Sequence, residues 1–66
     1  MFKTKDNVEA YEGMWVIDDA GAYEVKFIGS TLIDVQEMAI NDDGTYTPFG
    51  TCRRLTAREF GTLKYC

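Results

Sequence analysis

The side chains of this sequence that could act as nucleophiles are one serine, Ser30, and two cysteines, Cys52 and Cys66. Each would need a neighbouring base, and the chain contains no histidine to serve as one. Arginine can also activate a thiol by lowering its pKa, and Arg53 and Arg54 directly follow Cys52. An unreactive thiol, packed or at the surface, is the more frequent arrangement. The sequence therefore predicts no catalytic residue, and we expect a protein that is not an enzyme.

Paired carboxylates occur twice, as Asp18-Asp19 and as Asp42-Asp43. The two acids of a glycosidase face each other across a cleft. Here the acids of each pair are consecutive and lie in stretches with glycine, where aspartate supports the geometry of a turn. A calcium loop that began at Asn41 would need a glutamate at its twelfth position, and the residue there is a cysteine. We expect no metal and no cofactor.

The length of 66 residues is enough for one domain, which we take to span residues 1–66. A composition of 45% hydrophobic and 27% charged residues is typical of a folded globular chain. No apolar stretch approaches the roughly 20 residues of a membrane-spanning helix, and no signal peptide is recognisable. We therefore expect a cytoplasmic protein, in the host cell if a phage encodes it, with free thiols and no membrane contact.

The acidic residues are concentrated in one part of the chain. Residues 1–50 contain ten acids and three bases, residues 51–66 contain one acid and four bases, and the net charge is −4. Nucleic-acid binding draws its affinity from many lysines and arginines that neutralise phosphates, which argues against a nucleic-acid partner. An acidic surface instead suits a larger protein with a basic surface.

Clusters of glycine, aspartate and asparagine divide the chain into short strands joined by tight turns. The turns are predicted at residues 18–21, 29–31 and 41–44, and the strands at residues 14–17, 23–27, 32–35 and 46–49. Alternation in the second strand puts Tyr23, Val25 and Phe27 on one face, and we expect Val25 and Phe27 to be buried there. The third strand continues with apolar residues that shift from odd to even positions, and we expect a β-bulge near Gln36 or Glu37 to absorb the shift.

The two ends of the chain carry different signals. Thr56 and Glu59 have the spacing of a capping box, and Gly61 limits the helical turn predicted to begin there. Residues 62–65 then form a last short strand. At the N-terminus, residues 6–13 fit either one helical turn or an extended segment that leads into the first strand.

The order of four strands, a helical turn and a final strand resembles that of the small five-stranded barrels of the Src-homology-3 type, over residues 14–65. The first loop has only four or five residues, which favours the Tudor-like variants over the peptide-binding ones. The resemblance implies an all-β barrel with its helical turn before the last strand. The alternative is an α+β fold, in which a four-stranded antiparallel sheet is covered by a C-terminal helix.

Three sets of side chains are candidates for binding a partner. The acidic set, expected to contact a basic surface, comprises Asp18, Asp19, Asp34, Glu37, Asp42 and Asp43. The aromatic set, expected to line one rim as aromatic cages do in Tudor-like barrels, comprises Tyr11, Trp15, Tyr23 and Tyr46. The basic set, which forms either a patch or a solvated face, comprises Arg53, Arg54 and Arg58.

With no catalytic residue predicted, we expect the surface to carry the function. A small acidic barrel of this kind is typical of phage and mobile-element proteins that inhibit or modulate a larger host machine, including machines that handle nucleic acid. The first hypothesis is therefore an inhibitor or modulator that occupies a basic surface. The alternative is a structural or adaptor module that recognises a peptide or an assembly partner through its aromatics. Either would be a monomer or a small homo-oligomer.

Overall fold

Short antiparallel strands make up most of the molecule in the computed structural model, which describes all residues from Met1 to Cys66. The strands and the helix are, in chain order, β1 (Trp15–Asp18), β2 (Gly21–Ile28), β3 (Leu32–Ile40), β4 (Tyr46–Pro48), β5 (Arg53–Thr56), α1 (Ala57–Phe60) and β6 (Lys64–Tyr65). The predicted predominance of β-structure, with one helical turn before the last strand, is confirmed. The structure has six strands where five were predicted, and the additional one is β5.

The strands form one open sheet. Its order is β4-β3-β2-β1-β6, and β5 pairs with the beginning of β3 while β4 pairs with its end. No ladder joins β6 to β4 or β5, so the predicted closed barrel is corrected to a partly open antiparallel sheet. The reason is the length of β6, whose two residues pair only with Val16 and Ile17 of β1. In its openness the sheet agrees with the α+β alternative, although α1 precedes the last strand.

A β-bulge interrupts the pairing of β2 with β3. Val25 lies opposite Val35, but the next pair is Phe27 opposite Asp34, so that Lys26 is the extra residue. The bulge turns Phe27 to the face opposite Val25, where it is 57% exposed. The prediction that Phe27 shares the buried face of Val25 is wrong, because an extra residue reverses the alternation of the strand at that point.

The bulge predicted near Gln36 or Glu37 is absent, since β3 pairs with β2 in unbroken register there. The apolar residues of β3 change from odd to even positions because both faces of this strand carry apolar side chains. Ile33 and Val35 are buried in the core, whereas Met38 and Ile40 lie on the opposite face, which we call the outer face. Ile40 is 67% exposed, so the outer face presents apolar surface to solvent.

The two ends of the chain cover the core face of the sheet. The buried apolar residues of the core are Phe2, Met14, Val16, Tyr23, Val25, Ile33, Val35, Leu55, Phe60 and Leu63. Phe2 comes from the N-terminal segment and packs edge to face on Phe60 of α1, with the ring centroids 6.3 Å apart. Burial of these side chains is the main stabilising contribution in a chain this short.

The N-terminal segment forms a small loop rather than a helical turn. The Thr4 N–H donates to the carbonyl of Val8, and the Ala10 N–H donates to the carbonyl of Phe2, both at 2.9 Å. Asn7 reverses the chain between these bonds with a φ of 67°. Residues 6–13 therefore form neither the helical turn nor a continuous extended segment, since the chain reverses at Asn7 and turns again before β1.

The capping box predicted at the start of the helical turn is confirmed. The Thr56 N–H donates to Glu59 Oε1 at 2.8 Å, and the Glu59 N–H donates to Thr56 Oγ1 at 3.2 Å. These bonds, first the one from the Thr56 backbone and then those with its hydroxyl, hold the pKa of the Glu59 carboxyl below its ordinary value. The turn capped in this way directs Phe60 into the core.

Candidate functional site

Two acidic turns lie at the same end of the sheet. β1 and β3 are both antiparallel to β2, so they run in the same direction and finish at the same end of the sheet. The turn at the end of β1 contains Asp18 and Asp19, and the turn after β3 contains Asp42 and Asp43. We call these four residues the acidic end. The two pairs of aspartates, more than twenty positions apart in the sequence, thus lie at the same end of the sheet.

Two of the four acids stabilise their own turns. Asp18 Oδ1 accepts hydrogen bonds from the backbone N–H groups of Ala20 at 2.8 Å and Gly21 at 3.0 Å. Asp43 Oδ1 accepts from the hydroxyl of Thr45 at 2.6 Å and from its backbone N–H at 3.0 Å. The Thr45 hydroxyl, and after it the Thr45 backbone, hold the pKa of Asp43 below its ordinary value. These two carboxylates have a structural role at the acidic end.

The other two acids, Asp19 and Asp42, are exposed and make no hydrogen bond or ion pair through their side chains. Asp42 belongs to a turn in which Gly44 adopts a φ of 86°, the left-handed conformation that an Asp-Gly pair predicts. The turn therefore holds its shape without the side chain of Asp42. The negative charges of Asp19 and Asp42 are free to pair with a partner.

An apolar groove lies on the outer face beside the acidic end. It encloses about 530 Å³, and one acid of β3, Glu37, contributes to its lining. We define the outer groove by its apolar residues, which come from four strands and the residue after β4: Ile17, Ala22, Met38, Ile40, Tyr46 and Phe49. Ile40 and Phe49 are 67% and 60% exposed, so these side chains have no covering partner within the chain. Exposed apolar surface of this kind is typical of interaction sites.

Two of the four predicted rim aromatics meet at this groove. The rings of Trp15 and Tyr46 contact each other edge to face, with their centroids 4.9 Å apart and their planes at 67°. By strand register both residues lie on the outer face. Tyr46 lines the outer groove, and so Trp15 stands directly beside it.

The other two predicted rim aromatics lie elsewhere. Tyr23 points into the core and is only 2% exposed, because it shares the parity of Val25 on β2. Tyr11 lies near the C-terminus, where its hydroxyl is 2.9 Å from that of Tyr65, and this hydrogen bond raises the pKa of Tyr11. The single rim of four aromatics that the sequence predicted is therefore not formed.

The residues of the predicted acidic set, like the aromatics, do not all lie at one place. Glu37 is half-buried and borders the outer groove, but it is the register partner of Tyr23, so its side chain projects from the face opposite Met38 and Ile40. Asp34 lies near the other end of β3, where it is 3.6 Å from the guanidinium of Arg54. Four of the six predicted acids therefore lie together at the acidic end, and Asp34 and Glu37 do not belong to it.

The predicted basic residues face different neighbours. The guanidinium of Arg53 donates to the hydroxyl of Tyr23 at 3.1 Å and lies 5.4 Å from the centre of the same ring. Arg54 pairs with Asp34, while Arg58 on α1 is exposed and makes no ion pair. Arg53 thus satisfies a core hydroxyl, which removes it from a freely exposed patch.

One residue that positions the site was not identified from the sequence. Gln36 is only 8% exposed, and its side-chain amide donates to the carbonyls of Glu37, Phe49 and Gly50 at 3.0, 3.1 and 3.2 Å. Its Oε1 accepts a weak bond from the thiol of Cys52 at 3.5 Å. Gln36 thereby fixes the segment between β4 and β5 and holds Phe49 at the groove. Met38 and Ile40 were also not identified as site residues. Unbroken alternation through β3 was the sequence signal that places both of them on the outer face.

This surface offers apolar and charged groups that can contact a partner. Both cysteines are free and exposed, and no three histidine, cysteine or acidic side chains come close enough to hold a metal ion. The helix is too short and too polar to cross a membrane. The outer groove and the acidic end together can bury apolar side chains of a partner and pair with its positive charges.

This chain matches no protein-family model, no curated protein and no solved structure in a comparison with each. The candidate site is accordingly defined by its own geometry. It consists of an exposed apolar groove between two acidic turns, with the Trp15–Tyr46 pair at its side.

Proposed function

We propose that this protein binds a larger protein through the acidic end and the outer groove, and that it inhibits or modulates that protein by occupying a basic surface. The observation that carries the proposal is that both acidic turns lie at one end of the sheet, beside exposed apolar side chains. Acids on separate, distant loops would give only a diffuse negative field. Because they lie together at an apolar groove, they define a surface that is complementary to a partner with basic and apolar side chains.

The two parts of the surface contribute differently to binding. Burial of apolar surface in the groove supplies the hydrophobic contribution to affinity. The charges of Asp19 and Asp42 steer a basic partner and raise the association rate, an effect that salt screens. Both carboxylates are free for this role because the turns do not depend on them.

The second candidate function is that of an adaptor module, and the contact of Trp15 with Tyr46 at the groove favours it. Tryptophan and tyrosine are the residues most often found at the energetic centre of protein interfaces. An adaptor held mainly by these rings would lose little association rate as salt rises. An inhibitor steered by charge would lose association rate steeply.

The test is affinity capture from a lysate of the cells that express the protein, followed by measurement of the captured partner's affinity. The double variant Asp19→Lys/Asp42→Lys should bind at least tenfold more weakly, a loss of about 1.4 kcal/mol. The matched control is Glu9→Lys/Glu12→Lys, which makes the same change in net charge at exposed residues away from the acidic end. Equal affinity of both variants for the partner would show that the acidic end is not the binding surface.

We also propose that the open sheet is a variant of the small Src-homology-3-type barrel. The pairing of β6 with β1 and the helical turn directly before β6 support this assignment. A solution structure in which β6 approaches β5 would establish it, and a sheet whose edges stay apart would leave only the antiparallel fold.

A further inference from the structure

We infer that the partner segment that fits the outer groove is an amphipathic α-helix with lysine or arginine on both sides of its apolar stripe. The inference rests on the proposed function, since it names the chemistry of what that same surface binds. Three observations lead to it: the state of the sheet edges, the width of the groove and the position of the charges.

The sheet edge beside the groove is poorly suited to pairing with an extended peptide. β4 has three residues, and the residues that flank it, Thr45 and Phe49, are hydrogen-bonded to Asn41 and Glu37. Alternation therefore points the peptide groups of Tyr46 and Pro48 outward, away from β3. Pro48 has no N–H to donate. An added strand would find a single backbone donor on this edge, the N–H of Tyr46. The partner therefore has to dock on the outer face through side chains.

The opposite edge of the sheet is occupied as well. β6 has two residues, and the backbone N–H of Tyr65 that points away from β1 donates to the carboxylate of Asp6 at 3.0 Å. The N-terminal loop thus covers this edge. In the same region the backbone N–H of Lys5 donates a hydrogen bond to the carbonyl of Leu63. Addition of a strand, which is the usual way for an extended peptide to join a sheet, is therefore disfavoured at the β4 and β6 edges.

The width of the groove matches a helix. Its floor extends from Ile17 on β1 to Tyr46 on β4, which are separated by three strand spacings of about 4.8 Å each, or about 14 Å. A helix with its side chains is about 10–12 Å in diameter. A single extended chain covers about one strand spacing and would leave most of the floor exposed. A helix can place apolar residues at i, i+3, i+4 and i+7 on all four strands of the floor.

The two acidic turns lie at one end of that floor, one near each of its sides. Asp19 belongs to the turn beside β1 and β2, and Asp42 belongs to the turn beside β3 and β4. Long basic side chains that flank an apolar stripe can reach both turns while their stems stay on apolar surface. An acidic helix, or the acidic end of a second copy of this chain, would meet like charges instead.

The experiment uses the fluorescence of Trp15, the one tryptophan of the chain, whose ring touches Tyr46 at the groove. Two synthetic peptides of identical leucine and lysine composition, without tryptophan, are titrated into the full chain. In one the leucines follow the helical period, and in the other they alternate as in a strand. We expect the helical peptide to change the Trp15 emission, to gain helical circular dichroism on binding, and to bind at least tenfold more tightly than the alternating peptide.

Matched variants locate the binding. Ile40→Lys should abolish the response, because it puts a positive charge into the groove, and its high exposure lets the protein keep its fold. Phe27→Lys, a similarly exposed position on another part of the surface, should leave the response unchanged. An unchanged response in Ile40→Lys would place the peptide elsewhere and overturn the inference.

The remaining outcomes separate this inference from the function on which it rests. Equal or tighter binding of the alternating peptide would overturn the helix while leaving the acidic end as a binding surface. Absence of binding by both peptides would also overturn it, and the capture experiment with Asp19→Lys/Asp42→Lys would then decide the proposed function by itself. Sedimentation that shows dimers of the chain, dissociated by Ile40→Lys, would assign the groove to a second copy and contradict a helical partner.

Discussion

The rings of Trp15 on β1 and Tyr46 on β4 contact each other edge to face with their centroids 4.9 Å apart, although β2 and β3 separate their backbones. The contact is possible because both side chains lie on the outer face and extend toward each other across it. β4 has only three residues and is otherwise held by its ladder with β3. The ring pair therefore ties the β3–β4 hairpin, which carries Asp42, to the first strand.

The first prediction concerns this tie. Tyr46→Ala should lower the free energy of unfolding by about 0.5–1.5 kcal/mol beyond the loss of buried area, because an edge-to-face aromatic pair contributes that amount. Urea unfolding followed by the fluorescence of Trp15 measures it. Tyr46→Phe keeps the ring and should stay within about 0.5 kcal/mol of the parent. Equal losses for both variants would assign the effect to the hydroxyl group instead of the ring contact.

The second prediction uses the bulge in β2. Val25→Asp should unfold the protein, because Val25 is 1% exposed and an unpaired buried carboxylate costs several kcal/mol. Phe27→Asp, only two positions away, should still fold, because Phe27 is turned to solvent. Thermal melts followed by circular dichroism compare the two. Loss of the cooperative transition in Phe27→Asp would contradict the position of the bulge.

The third prediction concerns the amide of Gln36. Gln36→Ala should destabilise the fold by about 1–3 kcal/mol, because the carbonyls of Phe49 and Gly50 lose their donor in a partly buried setting. Gln36→Glu should be worse at neutral pH, since a carboxylate cannot donate to carbonyl oxygens and is repelled by them. Denaturant unfolding gives both values. A Glu variant as stable as the parent would mean that these bonds do not hold the segment.

The fourth prediction is a loss of stability in acid. Hydrogen bonds from Thr4 and Tyr65 lower the pKa of Asp6, and those from Thr45 lower the pKa of Asp43. A carboxyl whose pKa is lower in the folded state stabilises that state above its unfolded pKa, near 4, and loses the contribution as pH falls through the folded value. The melting temperature should therefore fall below about pH 4.

The variant Asp43→Asn isolates one of these groups. It keeps an oxygen acceptor for Thr45 but has no proton to gain, so its melting temperature should change less between about pH 5 and pH 2 than that of the parent. Asp42→Asn is the matched control, since Asp42 makes no hydrogen bond in the same turn and should follow the parent. A parallel acid response in all three proteins would remove Asp43 as a contributor.

Local features of the fold could be predicted from the sequence because they depend on residues a few positions apart. The capping box of Thr56 and Glu59 needs only its own helical turn. The positive φ of Gly44 follows from the conformational freedom of glycine in a tight turn. The alternation that puts Tyr23 and Val25 on the same face belongs to a single strand. The acids of the two turns were recognised as candidates for the same reason.

Features that join distant segments could not be predicted in this way. The bulge at Lys26 depends on how β2 pairs with β3, and the same alternating pattern is compatible with either register. The role of Gln36 depends on the carbonyls of Phe49 and Gly50, which lie thirteen and fourteen positions further along the chain. The even-numbered apolar residues of β3 were read as a slip because a single strand does not reveal that its second face is apolar as well.

The sequence by itself determined the turns, the helical cap, most of the strands and an acidic surface charge, because each of these is a property of neighbouring residues. Only the tertiary structure decided that the sheet stays open, that Tyr23 leaves the aromatic set for the core, and that Phe27 faces solvent. It alone brings Asp19 and Asp42 to the two sides of one apolar groove. Strand direction and register place these residues together, and both are settled by hydrogen bonding between segments that the linear pattern treats separately.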